Sequence, residues 1–342
     1  MKKVLILPFH LSRIFENLEY LPEGILEELI YTLSSLKGLQ TTSRSTSLFL
    51  GANPIPHKEM FSKFDVDYVL EGSIKKEQFD CFFATQLYEA KTEKLIFNAK
   101  IPFHIDAWTS ALHTLVHKIS EEVSENKLTQ SIAINPTKKR EFYQQGLYHW
   151  NRFTHNEMNF AITFFKKAIK EDSNFAQPYA ALADCYSIIG LMGYDNPIQA
   201  FSSAKKAVQK ALLLNDKRSE SYVSAAFVNM YFDKDLPKSK QNLLQALKLN
   251  KDNLKAHHVL AMYYIHVLDL NNARKHSLIT LKIDPLSLPH FAMMARISLY
   301  QRRFKDGLDF VEAGLNINHK ACLLYTSPSP RDRTRSRMPS SA

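Results

Sequence analysis

The feature that most constrains the fold is a pattern of small residues that recurs through the second half of the chain. A small residue is followed by a larger one four positions on and by another small one three further, as at Ala161, Phe165 and Ala168. The third member returns in steps of 43, 35, 34 and 34 residues, at Ala168, Ala211, Ala246, Thr280 and Gly314. A steady period near 34 predicts stacked helical hairpins, because one hairpin cannot bury its apolar face alone.

A second set of positions, one helix earlier, repeats with the first. It pairs a small residue with one three positions on, at Gly146/His149, Ala183/Tyr186, Ala226/Asn229, Ala261/Tyr264 and Ala295/Ser298. Together the two sets resemble the tetratricopeptide repeat, although the loop proline of that family is kept only at Pro285. The long first step fits an insertion around "MGYDNPIQAF". The resemblance implies an all-α superhelical solenoid of about five repeats over residues 132–321, with a concave groove lined by the first helix of each repeat.

By register with that family, twelve residues are predicted to form a partner-binding groove. They are Arg140, Tyr143, Trp150, Glu220, Phe227, Tyr231, Lys255, His258, Met262, His266, Arg296 and Tyr300. Chaperone-binding members of the family clamp a peptide carboxylate with Lys, Asn and Arg, and the corresponding pairs here, such as His258/Met262, form no such clamp. An aromatic and apolar groove with a basic far end is predicted, suited to an extended or helical segment with apolar anchors. For Leu147 and Val223, at neighbouring positions, packing inside the solenoid is the alternative.

The first 131 residues alternate between strand and helix patterns instead. Strands are predicted at 4–9, 66–74, 79–88 and 95–103, with tight turns at 75–78 and 90–94. Helices are predicted at 24–36, 58–64 and 105–126. The stretch "LQTTSRSTSLFL" is interpreted as a strand running into a polar loop. These elements predict an α/β domain, a mixed sheet with flanking helices.

Four stretches of this domain carry a second resemblance. "ILPF", "LPEGILEELIYTLSSLKGLQTTSRSTS", "DVDYVLEGSIKK" and "ATQLYEAKTEKLIFNAK" resemble, in register over residues 3–127, the TolB-like or FlgO-like amino-terminal domain. That domain occurs in bacterial regulators, including CadC-type transcription regulators and adenylate-cyclase-associated proteins. The resemblance implies a regulatory role and brings no catalytic motif with it.

Sites of other kinds are weakly indicated. The hydroxyls between Thr41 and Ser47 could cradle an anion with Arg44, but a loop held by local side-chain bonds is the favoured interpretation. His113 and His117 are four residues apart on a helix, a ligand-compatible spacing without a third ligand. The imidazoles of His257, His258, His266 and His276 are expected to spread over several helix faces. No metal and no cofactor are therefore predicted, and phosphate loops of the familiar kinds are absent from the sequence.

Charge and composition add limits on partners and location. The formal charge of +10 suggests nucleic acid, but the lysines spread along helical patterns and four arginines lie in the final tract. That tract, Cys322 to Ala342, resembles the translation of a sequencing-library adapter and is interpreted as non-native, with a disordered basic tail as the alternative. No direct nucleic-acid binding, signal peptide or membrane span is predicted. A cytoplasmic location is expected, or a periplasmic one if an upstream anchor has been lost.

The function predicted from these patterns is that of a non-catalytic regulatory or scaffold protein that binds a protein or peptide in the solenoid groove. The alternative is the sensory half of a one-component transcription regulator or adenylate cyclase whose output module is missing from this chain. An enzyme in its own right is the third class, and only His113 and His117 favour it. Self-association is left open.

Overall fold

A computed structural model describes residues 2–12, 18–34, 36, 38–77, 80–104, 108–123 and 137–317. The predicted tail at 322–342 and most of the residues between the two predicted domains lie outside these ranges. Backbone contacts divide the chain into two compact units, Met1–Lys217 (unit 1) and Arg218–Ala342 (unit 2), and each is described by itself.

Unit 1 begins with a mixed sheet. Its strands are β1 (Lys2–Ile6), β2 (His10–Leu11), β3 (Leu39–Thr41), β4 (Tyr68–Glu77), β5 (Asp80–Glu89) and β6 (Lys94–Phe103). The order is β3-β1-β4-β5-β6, with the short β2 also paired to β4. β1 runs parallel to both β3 and β4, while β4, β5 and β6 form an antiparallel meander. The predicted mixed sheet is confirmed, as are its three long strands, β4, β5 and β6.

Four helices cover this sheet. They are α1 (Leu21–Ser34), α2 (Arg44–Ala52), α3 (His57–Phe64) and α4 (Trp108–Val123). Successive strand residues point to opposite faces, so Leu70 joins the core under α1 and α4 while its neighbour Val69 packs under α2 and α3. The first core is the larger of the two and includes the fully buried Trp108 of α4.

Two local predictions in this region are wrong. The stretch after β3, interpreted as a polar loop, is the helix α2. Its N-cap is Ser43, whose side chain accepts a hydrogen bond from the backbone N–H of Thr46. Ser and Thr favour loops and helix N-caps for the same reason, because their hydroxyls bond to nearby backbone groups. The predicted turn at 75–78 is also too early, since β4 continues to Glu77.

Two helical hairpins complete unit 1. Their helices are α5 (Lys138–Trp150), α6 (His155–Glu171), α7 (Ala176–Met192) and α8 (Pro197–Leu214). Gly146 allows α5 to approach α6, since a Cβ at that position would lie 2.4 Å from the ring of Phe165. α7 ends at Gly193 in the left-handed conformation, φ 67°, and α8 begins after the N-cap Asn196. The residues of the predicted insertion thus lengthen these two helices and form their connection.

Unit 2 contains three further hairpins. Its helices are α9 (Ser219–Val228), α10 (Leu236–Leu249), α11 (Leu254–His266), α12 (Leu270–Ile283), α13 (Leu288–Tyr300) and α14 (Phe304–Ile317), with a π-helical turn at Asn229–Asp233 after α9. The small residues of the repeat lie between paired helices: Ser239 of α10 is fully buried and donates a hydrogen bond to the carbonyl of Ala226 in α9. Asp235 and Asp269 cap α10 and α12. The predicted helical half of the chain is confirmed.

Candidate functional site

The first predicted groove residue, Arg140, is engaged inside unit 1. Its Nη1 donates a 2.7 Å hydrogen bond to Oε1 of Glu28 on α1, and Nε2 of Gln144 donates to the other carboxylate oxygen at 3.0 Å. Glu28 is only 6% exposed, so α5 holds a buried carboxylate of the α/β part. The two helices are in contact here, since a Cβ at Gly24 would lie 3.5 Å from Cβ of Gln144, an ordinary van der Waals distance. Arg140 is thus held by Glu28, and its place in a partner groove stays a prediction.

An acidic row on α1 extends this contact. Arg44 of α2 bridges Glu23 and Glu27 at 2.5 and 2.7 Å, and Arg152 lies 3.9 Å from Glu23. Burial raises the pKa of Glu27, and the Arg44 guanidinium opposes that shift. Because Arg44 already has two carboxylate partners, the anion cradle considered for this stretch loses its only cation.

The other groove residues of unit 1 mostly pack within their own hairpins. The Tyr143 ring lies 5.6 Å from that of Phe165 and 5.5 Å from that of Phe175. Leu147 and Trp150 join the same apolar cluster as half-buried members. For Leu147 the structure favours the packing alternative, and Tyr143 and Trp150 present only part of their surface.

In unit 2 the predicted residues of α9, the π-helical turn and α11 come together. The rings of Phe227 and Tyr231 lie 4.6 Å apart, and Tyr231 meets His266 edge-on at 5.3 Å. Phe227 is only 9% exposed and Val223 is fully buried, so both serve the core more than a surface. Tyr231 is half-buried: burial raises the pKa of its phenol, and the charge of Arg296 opposes that shift. The accessible aromatic group is therefore Tyr231.

A pair of imidazoles, His258 of α11 and His290 of α13, lies beside these residues. Their ring centroids are 5.3 Å apart, and His290 is 5% exposed. Nδ1 of His258 and both ring nitrogens of His290 are buried without a hydrogen-bond partner among the described residues. Buried polar atoms are usually paired, so three unpaired nitrogens in one place make this pair the candidate site.

The electrostatics of this imidazole pair favour an anion. Burial, with smaller contributions from His290, Arg296 and Lys255, lowers the pKa of His258 to about 3. Burial alone lowers the pKa of His290 to about 4. Both rings are therefore neutral at pH 7, and each neutral ring offers one N–H donor. Lys255 and Arg296 would attract an incoming carboxylate to the surface beside these rings.

A second histidine pair joins two of the imidazoles that were predicted to spread over several helix faces. His257 of α11 and His276 of α12 approach with their Nδ1 atoms 2.9 Å apart. Nε2 of His257 lies 3.0 Å from the carbonyl of Lys251, which can only accept, so this nitrogen carries the proton. His276 must then donate through its Nδ1, and the Tyr264 ring stacks on it at 5.5 Å. These hydrogen bonds connect α11 with α12, so the nitrogens of His257 and Nδ1 of His276 already have partners.

The remaining predicted groove residues differ in exposure. Glu220 is exposed and lies 3.6 Å from Arg218. Met262 is half-buried, and Tyr300 is 51% exposed at the end of α13. Arg296 is exposed and its Nη2 lies 3.1 Å from Sδ of Met293. Of these residues, Arg296 lies close enough to the imidazole pair to influence the pKa of His258.

The metal site considered at His113 and His117 finds little support among the described residues. No cluster of three metal-ligating side chains occurs there. His117 pairs with Glu121 at 3.5 Å, while burial lowers the pKa of His113 and the nearby Arg140 lowers it further. No helix in the described ranges is both long and apolar enough to cross a bilayer.

Comparison with known proteins gives likenesses to solved structures only. No family model matches the chain, and no curated protein matches it. The structure of MamA is similar at 18% identity and a TM-score of 0.36, over 51% of this chain and 96% of that one. YrrB, described as a tetratricopeptide-repeat protein with an unusual peptide-binding site, is similar at 18% identity and a TM-score of 0.35, over 61% of this chain and 94% of that one.

A third likeness concerns TolB from Acinetobacter baumannii. It reaches 18% identity and a TM-score of 0.29, covering 36% of this chain and 28% of that one. At these identities and scores the likenesses carry no functional inference, which has to come from the chain's own residues.

Proposed function

We propose that this chain is a non-catalytic regulatory or scaffold protein whose helical hairpins bind a protein partner. The observation that carries the proposal is the imidazole pair, His258 and His290, with three buried ring nitrogens that lack partners. Each buried polar atom without a hydrogen-bond partner costs about 1–3 kcal/mol of stability. The pair therefore destabilises the free protein, and binding of a partner would offset that cost.

The chemistry around this pair specifies the partner segment. Lys255 and Arg296 supply positive charge, while Tyr231 and Met262 supply apolar surface. A segment with one acidic side chain flanked by apolar or aromatic anchors fits this surface, in the manner of a helix or strand lying in a groove.

The division into an α/β domain at residues 1–131 and a repeat region at 132–321 forms part of the proposal. A second function, the sensory half of a transcription regulator or cyclase, is supported by one contact. Glu28 of α1 binds Arg140 and Gln144 of α5, which joins the α/β part to the first hairpin. A ligand that moved α1 would therefore act on α5 directly.

The experiment is a titration after the partner has been identified by affinity purification with the full chain. Tyr231→Ala should weaken binding by about 2 kcal/mol, a typical loss for a central aromatic anchor. The matched control is Lys206→Ala, an exposed residue of α8. A loss at Lys206 with none at Tyr231 would move binding to the basic outer surface and end the proposal.

A further inference from the structure

A cavity of about 520 Å³ lies in the α/β part of unit 1, next to the residues that follow β1. From β1 the chain passes through α1 to β3 on one side of that strand, and then through α2 and α3 to β4 on the other side. α1 packs on one face of the sheet, and α2 and α3 pack on the opposite face. This reversal makes the end of β1 a topological switch point, where open α/β sheets form ligand crevices.

The floor of the cavity is a polar row across the sheet. Glu71 of β4 is paired with Gln86 of β5, and Gln86 with Asn98 of β6, so the three side chains point to the same face. Ser73 and Ala84 form the next row and also line the cavity. α2 and α3 cover this face only beside β1, which leaves the floor half-exposed.

One wall of the cavity is apolar. It consists of Leu7, Pro8, Leu50, Ile55 and Met60. Leu50 and Met60 are buried members of the core beneath α2 and α3, so this wall is held rigidly. An apolar wall facing a few convergent polar groups, at a volume within the range for small molecules, is the usual composition of a ligand site.

The cavity lining contains two oppositely charged side chains, Glu71 and Lys75, that differ in their hydrogen-bond partners. Oε2 of Glu71 accepts a 3.2 Å hydrogen bond from Nε2 of His57, whose ring lies 4.3 Å from that of Tyr88 and is tilted against it by 44°. Burial raises the pKa of Tyr88, and the charge of Glu71 raises it further. Lys75, four residues along the same strand, is exposed and has no ion-pair partner among the described residues. Glu71 is thus engaged by His57, and Lys75 is the charged side chain of the lining that a ligand could pair with.

We propose that this cavity binds a small organic anion with an apolar body, with its anionic group at Lys75 and its body against the wall of Leu7 and Ile55. Gln86 and Asn98 would hydrogen-bond the polar atoms of such a ligand. This site is independent of the partner surface on unit 2 and adds a small-molecule input to the chain. α2, which forms part of the wall through Leu50, also holds α1 through Arg44, so an occupied cavity adjoins the helix that binds α5.

The test uses two dyes and the full chain. Anilinonaphthalene sulfonate is an organic anion with an apolar body, and phenylnaphthylamine is its uncharged parent. We expect one sulfonate dye per chain, bound at least tenfold more tightly than the uncharged dye. Lys75→Gln should remove most of that preference, and Lys75→Glu should reverse it without affecting the uncharged dye. Lys76→Gln, on the neighbouring exposed residue, is the control and should change neither affinity.

Filling the cavity tests its location. Ala84→Phe should abolish binding of both dyes while its melting curve stays cooperative. Equal affinity for the two dyes, or an unchanged preference in Lys75→Glu, would overturn the proposed charge selectivity. Full dye binding by folded Ala84→Phe would place the dye elsewhere and overturn the site. The exposed Lys75 variants do not threaten the fold, so the proposal can fail even if Ala84→Phe does not fold.

Discussion

Replacing Glu28 by leucine tests the contact between α1 and α5. The change removes the carboxylate that accepts from Arg140 and Gln144 but keeps the volume of the side chain close to that of glutamate. Breaking a buried ion pair on one side costs about 3–5 kcal/mol, because the remaining charge is left unpaired. The Arg140 side chain keeps 21% exposure, so part of its charge can be solvated. We therefore expect a loss of about 3 kcal/mol, at the lower end of that range.

The assay is urea unfolding of the full chain with a thermal melt beside it. A loss of this size lowers the melting temperature by roughly 6–12 °C in a unit of 150–250 residues. Adding Arg140→Met to Glu28→Leu should restore much of the loss, because the unpaired charge then disappears. The matched control is Lys139→Met on the same helix, which breaks an ion pair with Asp172 whose side chains are each 30% exposed. Its effect should be much smaller, since water screens that pair.

Two results would refute this reasoning. If Glu28→Leu lost no more stability than Lys139→Met, the carboxylate would not be buried as described. If the double variant were no more stable than Glu28→Leu, the loss would come from packing and not from the unpaired guanidinium.

Two further predictions follow from packing and pH. Gly146→Ala should destabilise unit 1 by about 1–3 kcal/mol in chemical denaturation, because the added Cβ overlaps the ring of Phe165. An unchanged denaturation midpoint would contradict the close approach of α5 and α6. The folded-state pKa values of His258, His276 and His290, about 3, 4 and 4, lie below the usual 6.5, so the unfolded chain binds protons first and stability falls as pH drops from about 6.5 towards 4. The free energy of unfolding should be lower at pH 5 than at pH 7 by about 2 kcal/mol for each ring, about 5–6 kcal/mol for the three together, and His290→Gln should remove about a third of that difference. A free energy of unfolding that does not change between these pH values would count against the buried neutral rings.

The repeat could be predicted from the sequence because its signal is local. Small residues such as Gly146 and Ala226 recur at fixed spacing, and each lies where two neighbouring helices of one hairpin approach. The α/β part was equally readable, since strand alternation and helix periodicity need only short windows. α2 was missed because Ser43 and Thr46 favour a loop and a helix N-cap alike.

The features of the candidate site that the sequence did not predict were missed for a different reason. Glu28 and Arg140 are 112 residues apart, and no local pattern marks them as partners. Phe227 occupies a groove position by register, but the structure buries it. His290 was missed because the register with the repeat family selects Arg296 and Tyr300 from the same helix. His290 lies 32 residues after His258, close to the repeat length of about 34. That spacing could have indicated that the two histidines lie at similar positions in adjacent repeats.

The most direct test of the central claim is to map where the partner lies. A benzophenone side chain is introduced at Met262, half-buried on α11 beside the imidazole pair, and separately at Lys206, exposed on α8. After illumination of the complex, crosslinked peptides are identified by mass spectrometry. The account predicts crosslinks from position 262 to a partner segment that carries an acidic residue, and none from position 206. Crosslinks from position 206 alone would contradict it.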